Sequence, residues 1–248
     1  MLKYLRLNIM ICVLFTAHDV FCQSISASFG PVFTKTNAVV AIVNGKEDFS
    51  NTAYMFSFSY EHFFKEKPYS IIASYAKYDG CTFILFEKGG FIPPDGVPVD
   101  ATGFCAGVDI NRFDLGVTYN IIKNNKKFYL KPFLTTGIQI STKTGWEIYS
   151  DLVKINGPNY FELEPISADP RNTTQIVPSL GFRTGFVFWK RLDIGLSFQG
   201  VYAYKPYQKM YLKYQYKGMP QLMAEYESTG TGLFVTLGVG YRFAKLIK

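Results

Sequence analysis

The feature that most restricts what this chain can become is a period of two. Residues 112–122, RFDLGVTYNII, put Phe113, Leu115, Val117, Tyr119 and Ile121 on one side and Arg112, Asp114, Gly116, Thr118 and Asn120 on the other. Such alternation makes a strand with two unlike faces, whereas the apolar residues of an amphipathic helix recur every three to four positions. Read for strands, the chain has eight segments: 24–34, 52–64, 69–78, 110–122, 128–141, 175–189, 192–204 and 231–243. In AYMFSFSYEHF the bulky set is Tyr54, Phe56, Phe58 and Tyr60, set against Met55, Ser57, Ser59 and Glu61. LDIGLSFQG and GLFVTLGVGYRF repeat the pattern. Only the third segment, YSIIASYAKY, has apolar residues on both faces, and its sides stay unassigned.

The connections between these segments alternate in length. Those at 35–51, 79–109, 142–174 and 205–230 are long, and those at 65–68, 123–127 and 190–191 are short, so every long loop leaves the same end of the sheet. Soluble sandwiches and lipocalin-like barrels seldom sort their loops this way; an outer-membrane barrel has short periplasmic turns and longer extracellular loops. Strands of about 10–14 residues also suit a tilted span, which needs about 9–11. Volume decides which face meets lipid. The lumen of an eight-stranded barrel is only just wide enough for side chains, and the bulky faces of all the strands cannot fit inside it. The other face, with Gly116, Gly137, Gly181, Gly185, Gly195, Gly238 and Gly240 among serines and threonines, suits a narrow interior. The expected fold is therefore all-β, an eight-stranded antiparallel up-and-down transmembrane β-barrel. A soluble periplasmic barrel is the competing architecture.

The N-terminus reads as an export signal. Lys3 and Arg6 precede the apolar run LNIMICVLFTA (7–17), which is too short to span a membrane, and cleavage is best placed after Cys22. Residues 1–22 are thus a signal peptide, and 23–248 form a single barrel domain with four long extracellular loops. Of four cysteines, Cys81 and Cys105 remain in the mature chain, and an even pair in an exported protein reads as a disulfide. Phe and Tyr number 23 and 18, yet no apolar run beyond the signal reaches the length of a transmembrane helix, so membrane contact must be through strands.

With these strands and loops the chain resembles the small Gram-negative outer-membrane barrels of the OmpA transmembrane-domain or OmpX kind, porin-like in architecture, over nearly its whole mature length. The closing GVGYRF is similar to the aromatic-ended last strand that the barrel-assembly machinery recognises in that family, although AKLIK follows Phe243 where many members end. The resemblance implies an outer-membrane location, contact with outer-membrane lipid and lipopolysaccharide, and the assembly machinery as a partner during biogenesis.

Residues able to do chemistry are few. His62, the one histidine of the mature chain, shares a face with Tyr60 near the short-turn end and reads as a ring of the interfacial aromatic girdle. No Cys/His cluster has metal-ligand spacing and no glycine-rich stretch has the context of a phosphate loop. No enzyme and no cofactor is expected. The inward face carries charges of both signs, Arg112, Lys131, Arg183 and Arg242 against Glu61, Asp114 and Asp193. Left unpaired inside a barrel these would be costly, so they read as a lumen-filling ion-pair network or, alternatively, as the lining of a narrow channel.

Net charge has a geography. Removing Lys3, Arg6 and Asp19 takes the formal charge from +7 to +6, and most of the excess lies at the short-turn rim, in Lys65, Lys67, Lys123, Lys126, Lys127, Lys190, Arg191, Lys245 and Lys248 with only Glu66 opposing. That favours phospholipid head groups over nucleic acid. Loop 79–109 contains GGFIPPDGVPV, too rich in Pro and Gly for regular structure. In loop 205–230, KPYQKMYLKYQYKG interleaves Lys205, Lys209, Lys213 and Lys217 with Tyr207, Tyr211, Tyr214 and Tyr216. That mixture suits stacking on sugars and pairing with phosphates, and it equally suits a solvated extension of the seventh strand. The functional expectation is a barrel that presents its surface loops, structurally or for recognition. The alternatives are a narrow channel or transporter for ions or small solutes, and an accessory subunit of an envelope assembly or secretion machine.

Overall fold

The computed structural model of the protein describes residues 22–41, 51–64, 67–81, 105–122, 127–148, 153–155, 161–216 and 220–243. The signal segment, most of loop 79–109 and Lys217 lie outside them. Among the described residues eleven strands are formed: β1 (Cys22–Val40), β2 (Asn51–Phe63), β3 (Tyr69–Cys81), β4 (Cys105–Tyr119), β5 (Phe128–Ile148), β6 (Val153–Ile155), β7 (Phe161–Pro170), β8 (Thr173–Phe188), β9 (Leu192–Val201), β10 (Gln208–Tyr216) and β11 (Leu222–Phe243). Eight of them pair in the order β1-β2-β3-β4-β5-β8-β9-β11, and β11 returns to β1 from Gln23↔Phe243 upward, so the sheet closes with every pairing antiparallel. Closure leaves no edge inside the membrane, which is the condition for strands to cross lipid.

The outer surface carries the apolar side chains. Along β4, Phe113, Leu115, Val117 and Tyr119 are exposed, Leu115 at 63%, while Arg112 and Asp114 between them are buried. Phe29, Tyr54, Phe56, Phe58, Leu134, Ile138, Leu180, Phe186, Leu237 and Val239 continue the belt around the barrel. Cross-strand register assigns the third strand as well. Ile71 faces Val117, Ala73 faces Leu115 and Tyr75 faces Phe113, all on the lipid side, whereas Ser70, Ile72 and Ser74 pair with Thr118, Gly116 and Asp114 on the inside.

Towards the long loops the faces exchange polarity. On β3 the outward series Ile71, Ala73, Tyr75 is followed by Lys77 and Asp79, and the inward series turns from Ser70 and Ser74 to buried Ala76 and Tyr78. β4 does the same, with Asn111 and Asp109 outward and Ile110 and Val108 buried inside. β1 follows, with Lys35 beyond Phe33 outside and Val32 inside. Outside the belt the sheet meets water, so the apolar residues move to the interior, as in a soluble sheet.

The strands extend beyond the expected limits for the same reason. β1, β5 and β11 run on past 34, 141 and before 231, and the regions expected as loops 142–174 and 205–230 contribute β6, β7 and β10. β10 pairs with the early half of β11 on one side and with β7 on the other, and β7 pairs with β6. The seventh barrel strand, expected to reach 204, ends at Val201. There the Gln175 side chain takes over from the ladder, accepting from Tyr204 and Lys205 backbone N–H at 3.0 and 2.8 Å and donating to Lys205 C=O at 3.1 Å. At the opposite end β8 and β9 join through three residues, Trp189, Lys190 and Arg191, in a turn closed by Arg191 N–H donating to Phe188 C=O at 3.0 Å, whose central Trp189 and Lys190 have φ of 46° and 64°. A tight hairpin demands positive φ at both central positions, and here two bulky residues carry it.

Candidate functional site

The sheet brings all seven inward charges into the lumen at two heights. Near the short-turn end Glu61 Oε1 accepts from Lys131 Nζ at 2.8 Å, Ser70 Oγ at 2.5 Å and Thr118 Oγ1 at 3.0 Å. Beside it Asp193 accepts from Tyr129 Oη at 2.6 Å and from Arg242 Nη2 at 2.9 Å, with Arg183 Nη2 3.6 Å away. The rings of Phe63 and Tyr129 complete this layer, with Lys131 Nζ 4.3 Å and 5.1 Å from their centroids. Tyr129 fits only because Gly195 has no side chain: a Cβ there would lie 2.3 Å from the phenol oxygen, which its bond to Asp193 holds in place.

Higher in the lumen Arg112 donates through Nε to Asp114 Oδ2 at 2.8 Å and through Nη2 to Gln199 Oε1 at 2.9 Å. Its guanidinium carbon sits 4.6 Å from the centroid of the Phe234 ring. Arg112 is 1% exposed. Between the two layers lies a chamber of about 70 Å³. Towards the long loops, Phe234 begins an apolar plug with Val32, Met55, Tyr78, Ile110, Val177 and Tyr207, all buried, in which Tyr78 meets Phe234 edge-on at 5.3 Å. Sequence reading did not find this plug. Its signal was present in the inward positions of GVDINR, where Val108 and Ile110 precede Arg112, but alternation alone does not mark where the membrane ends.

At the long-loop rim the lysine and tyrosine segment is divided by the sheet. Tyr207 and Tyr214 are buried with Met210 and Leu212, so Tyr207 is a core ring and not the surface contact expected for it. Lys209 binds Glu225 at 2.7 Å and also pairs with Glu227. The hydrogen bonds to Glu225 and Glu227 hold its ammonium charged well above the ordinary lysine range. Lys205 is exposed and donates to Thr174 C=O at 3.1 Å, and Tyr211 and Lys213 are half-buried on the outward side of β10. Of the expected contacts, Lys205, Lys213 and Tyr211 therefore keep access to the surface.

His62 takes its place in the girdle, its Nδ1 3.5 Å from Tyr60 Oη and its ring 5.2 Å from that of Phe64. Cys81 pairs in register with Gly107, which places Cys105 two residues further along β4, a diagonal neighbour. Such neighbours have Cα atoms about 7–8 Å apart, at the outer limit for a disulfide. Among the described side chains no disulfide occurs, and those of Cys81 and Cys105 lie outside that set. Among the described residues no group of His, Cys, Asp and Glu is arranged to hold a metal ion.

No protein-family model and no curated protein matches the sequence. Among solved structures the chain is similar to the outer membrane protein OprG from Pseudomonas aeruginosa, at 12% identity and TM-score 0.47 over 92% of this chain and 98% of that one. It is also similar to a major outer membrane protein from Thermus thermophilus, at 10% identity and TM-score 0.45 over 90% and 100% of the two chains. A third likeness is to Ail, the attachment invasion locus protein of Yersinia pestis, at 14% identity and TM-score 0.37 over 90% and 99%. The closed eight-stranded barrel and its apolar belt give this chain the architecture of the small outer-membrane barrels.

Proposed function

We propose that the protein is an outer-membrane barrel with a shut lumen, whose work is done by the folded surface it holds up at its long-loop end. The apolar plug carries this reading. Val32, Ile110 and Tyr207 are completely buried and Phe234 nearly so, in the part of the lumen through which any solute entering from the long-loop side would have to pass. Water and ions gain nothing by entering such a plug, and an ion-paired layer lies below it. The sheet above the belt is correspondingly substantial, adding β6, β7, β10 and the early part of β11, with Met210, Leu212, Tyr214 and Tyr226 buried in it. It presents Lys205, Tyr211 and Lys213, groups suited to the phosphates and sugars of lipopolysaccharide.

The test is conductance of the purified barrel in planar bilayers. Baseline current is expected, and large, steady porin-like conductance would overturn the proposal in favour of a channel. Replacing Phe234 with Ala is the control, since opening the plug should raise leak current if the plug is what closes the lumen.

A further inference from the structure

The apolar outer surface does not end at one level around the barrel. On β3 and β4 it gives way to Lys77, Asp79, Asp109 and Asn111, whereas Ile140, in register with Asn111, is apolar and exposed, as is Ile176 on the next strand. Gly200 opens a notch in this higher part. It pairs with Leu180 on one side and Leu233 on the other, both exposed in the belt. Among the described residues a Cβ on Gly200 would meet only Leu180 C=O oxygen, at 3.8 Å, whereas a Cβ on Gly116, Gly181 or Gly232 would lie 2.1 Å from a backbone oxygen. Two residues nearer the short turn on each strand, the Phe182 and Phe198 rings stack at 4.9 Å. In the other direction the chain sends Tyr202 and Tyr204 outward, exposed at 62% and 55%, while Val201 and Ala203 are buried. Lys205 follows, its ammonium donating to Thr174 C=O and lying 5.9 Å from the Tyr204 ring. Among the described residues no carboxylate pairs with it.

Away from the middle of the belt this face therefore offers an apolar notch, two phenol rings and a cation. A gap in a lipid-facing wall forfeits the contacts of its lining unless hydrocarbon fills it. Exposed phenol rings suit the apolar face and hydroxyls of a sugar, and a lysine beside an anionic head group is attracted to it. Chain, sugar and phosphate follow one another in the same order in a phosphorylated glycolipid. We infer that the β8–β9 face docks one such lipid of the surrounding leaflet, with an acyl chain in the Gly200 notch, a sugar against Tyr202 and Tyr204, and a phosphate on Lys205. The inference rests on the long-loop end being the working surface and is independent of the shut lumen.

Native mass spectrometry of the full mature barrel, titrated in detergent with lipid A or with phosphatidylglycerol, tests it. Lipid A carries phosphate on sugar; phosphatidylglycerol is anionic and has no sugar. The wild-type barrel should hold one lipid A about tenfold more tightly than phosphatidylglycerol. Gly200→Leu fills the notch, and leucine suits a lipid-facing strand better than glycine does. It should keep the heat-modifiable band and yet bind lipid A about tenfold more weakly, as for the loss of about two buried methylenes. Tyr202→Ala with Tyr204→Ala tests the sugar contact separately, and should weaken lipid A binding without changing that of phosphatidylglycerol. Equal lipid A binding by the wild type and Gly200→Leu, by the wild type and the double tyrosine variant, or equal binding of the two lipids by the wild type, overturns the inference. Such a failure would leave the barrel at baseline conductance, whereas failure of the proposed function would show as steady current whichever lipid is present.

Discussion

Replacing Glu61 with Gln changes one atom and tests whether ion pairing, beyond space filling, holds the lumen together. The amide oxygen can still accept from Ser70 and Thr118, so the variant isolates the loss of countercharge opposite Lys131, which is 5% exposed. Breaking a buried pair by removing one partner costs about 3–5 kcal/mol. Part of that is offset here, because the Phe63 and Tyr129 rings still face the ammonium, and desolvated contacts of this kind contribute up to about 2 kcal/mol. The expected loss is about 2–3 kcal/mol. Lys131→Met should cost less than Glu61→Gln, since Arg183 also acts on Glu61 and the lumen then becomes neutral rather than more positive. The double variant should cost less than the sum of the two, with a coupling of about 2 kcal/mol. Urea unfolding in lipid vesicles, followed by tryptophan fluorescence and by heat-modifiable gel migration, measures all three. Three results would each refute the reasoning: Glu61→Gln within about 0.5 kcal/mol of wild type, Lys131→Met as the more damaging change, or strictly additive costs.

Three further outcomes are expected. Leu115→Arg, which points a charge from the middle of the belt into lipid, should impair assembly by about 2–4 kcal/mol, read as loss of the heat-modifiable band; a normal yield of folded barrel would count against Leu115 facing lipid. Cys81 and Cys105 should be joined in protein isolated from the envelope, after a small adjustment at the ends of β3 and β4, with a chain-entropy contribution of about 3.5 kcal/mol for a loop of this size; mass spectrometry finding two free thiols refutes it. Lys205→Gln with Lys213→Gln should lower lipopolysaccharide retention during purification at low salt and not at high salt, each lysine contributing about 1 kcal/mol near an anionic surface, and unchanged retention would make this face an ordinary solvated sheet.

What the sequence disclosed and what it withheld follow from one physical distinction. The strand positions, the closed antiparallel barrel and the outward aim of Phe113 or Leu237 were legible because each rests on a local period of two together with a volume limit. The pairing of Arg112 with Asp114, two residues along one strand, could also be foreseen as a pair on one face. The partners of Glu61 could not, since Lys131 is 70 residues away and reaches it only once the shear of the closed barrel is set. Tyr129 was passed over for a related reason, because only the empty space at Gly195 makes room for its ring at the height of Asp193. β7 and β10 were hidden by their partners. The pairing of β10 with β11 is specified by contacts across the rim, such as Lys209 with Glu225, and not by any pattern within KPYQKMYLKYQYKG itself.

The third strand shows why alternation has to be read together with height. YSIIASYAKYDGC looks apolar on both faces because it passes through two solvents in succession. As far as Tyr75 its outward side chains meet lipid and its inward ones meet the polar lumen; from Ala76 on, Lys77 and Asp79 face water and Ala76 and Tyr78 enter the plug. The exchange occurs at matched positions on the neighbouring strand, where Tyr75 faces Phe113 and Lys77 faces Asn111. It is therefore shared by β3 and β4 at one height, while on the strands flanking them Phe56, level with Lys77, and Ile140, level with Asn111, stay apolar and exposed. In the proposed function the same exchange closes the lumen. Above the lipid the sheet needs an interior core to remain folded in water, a ring of strands can place that core only inside itself, and on that proposal the apolar residues that support the exposed rim are also the ones that stop the pore.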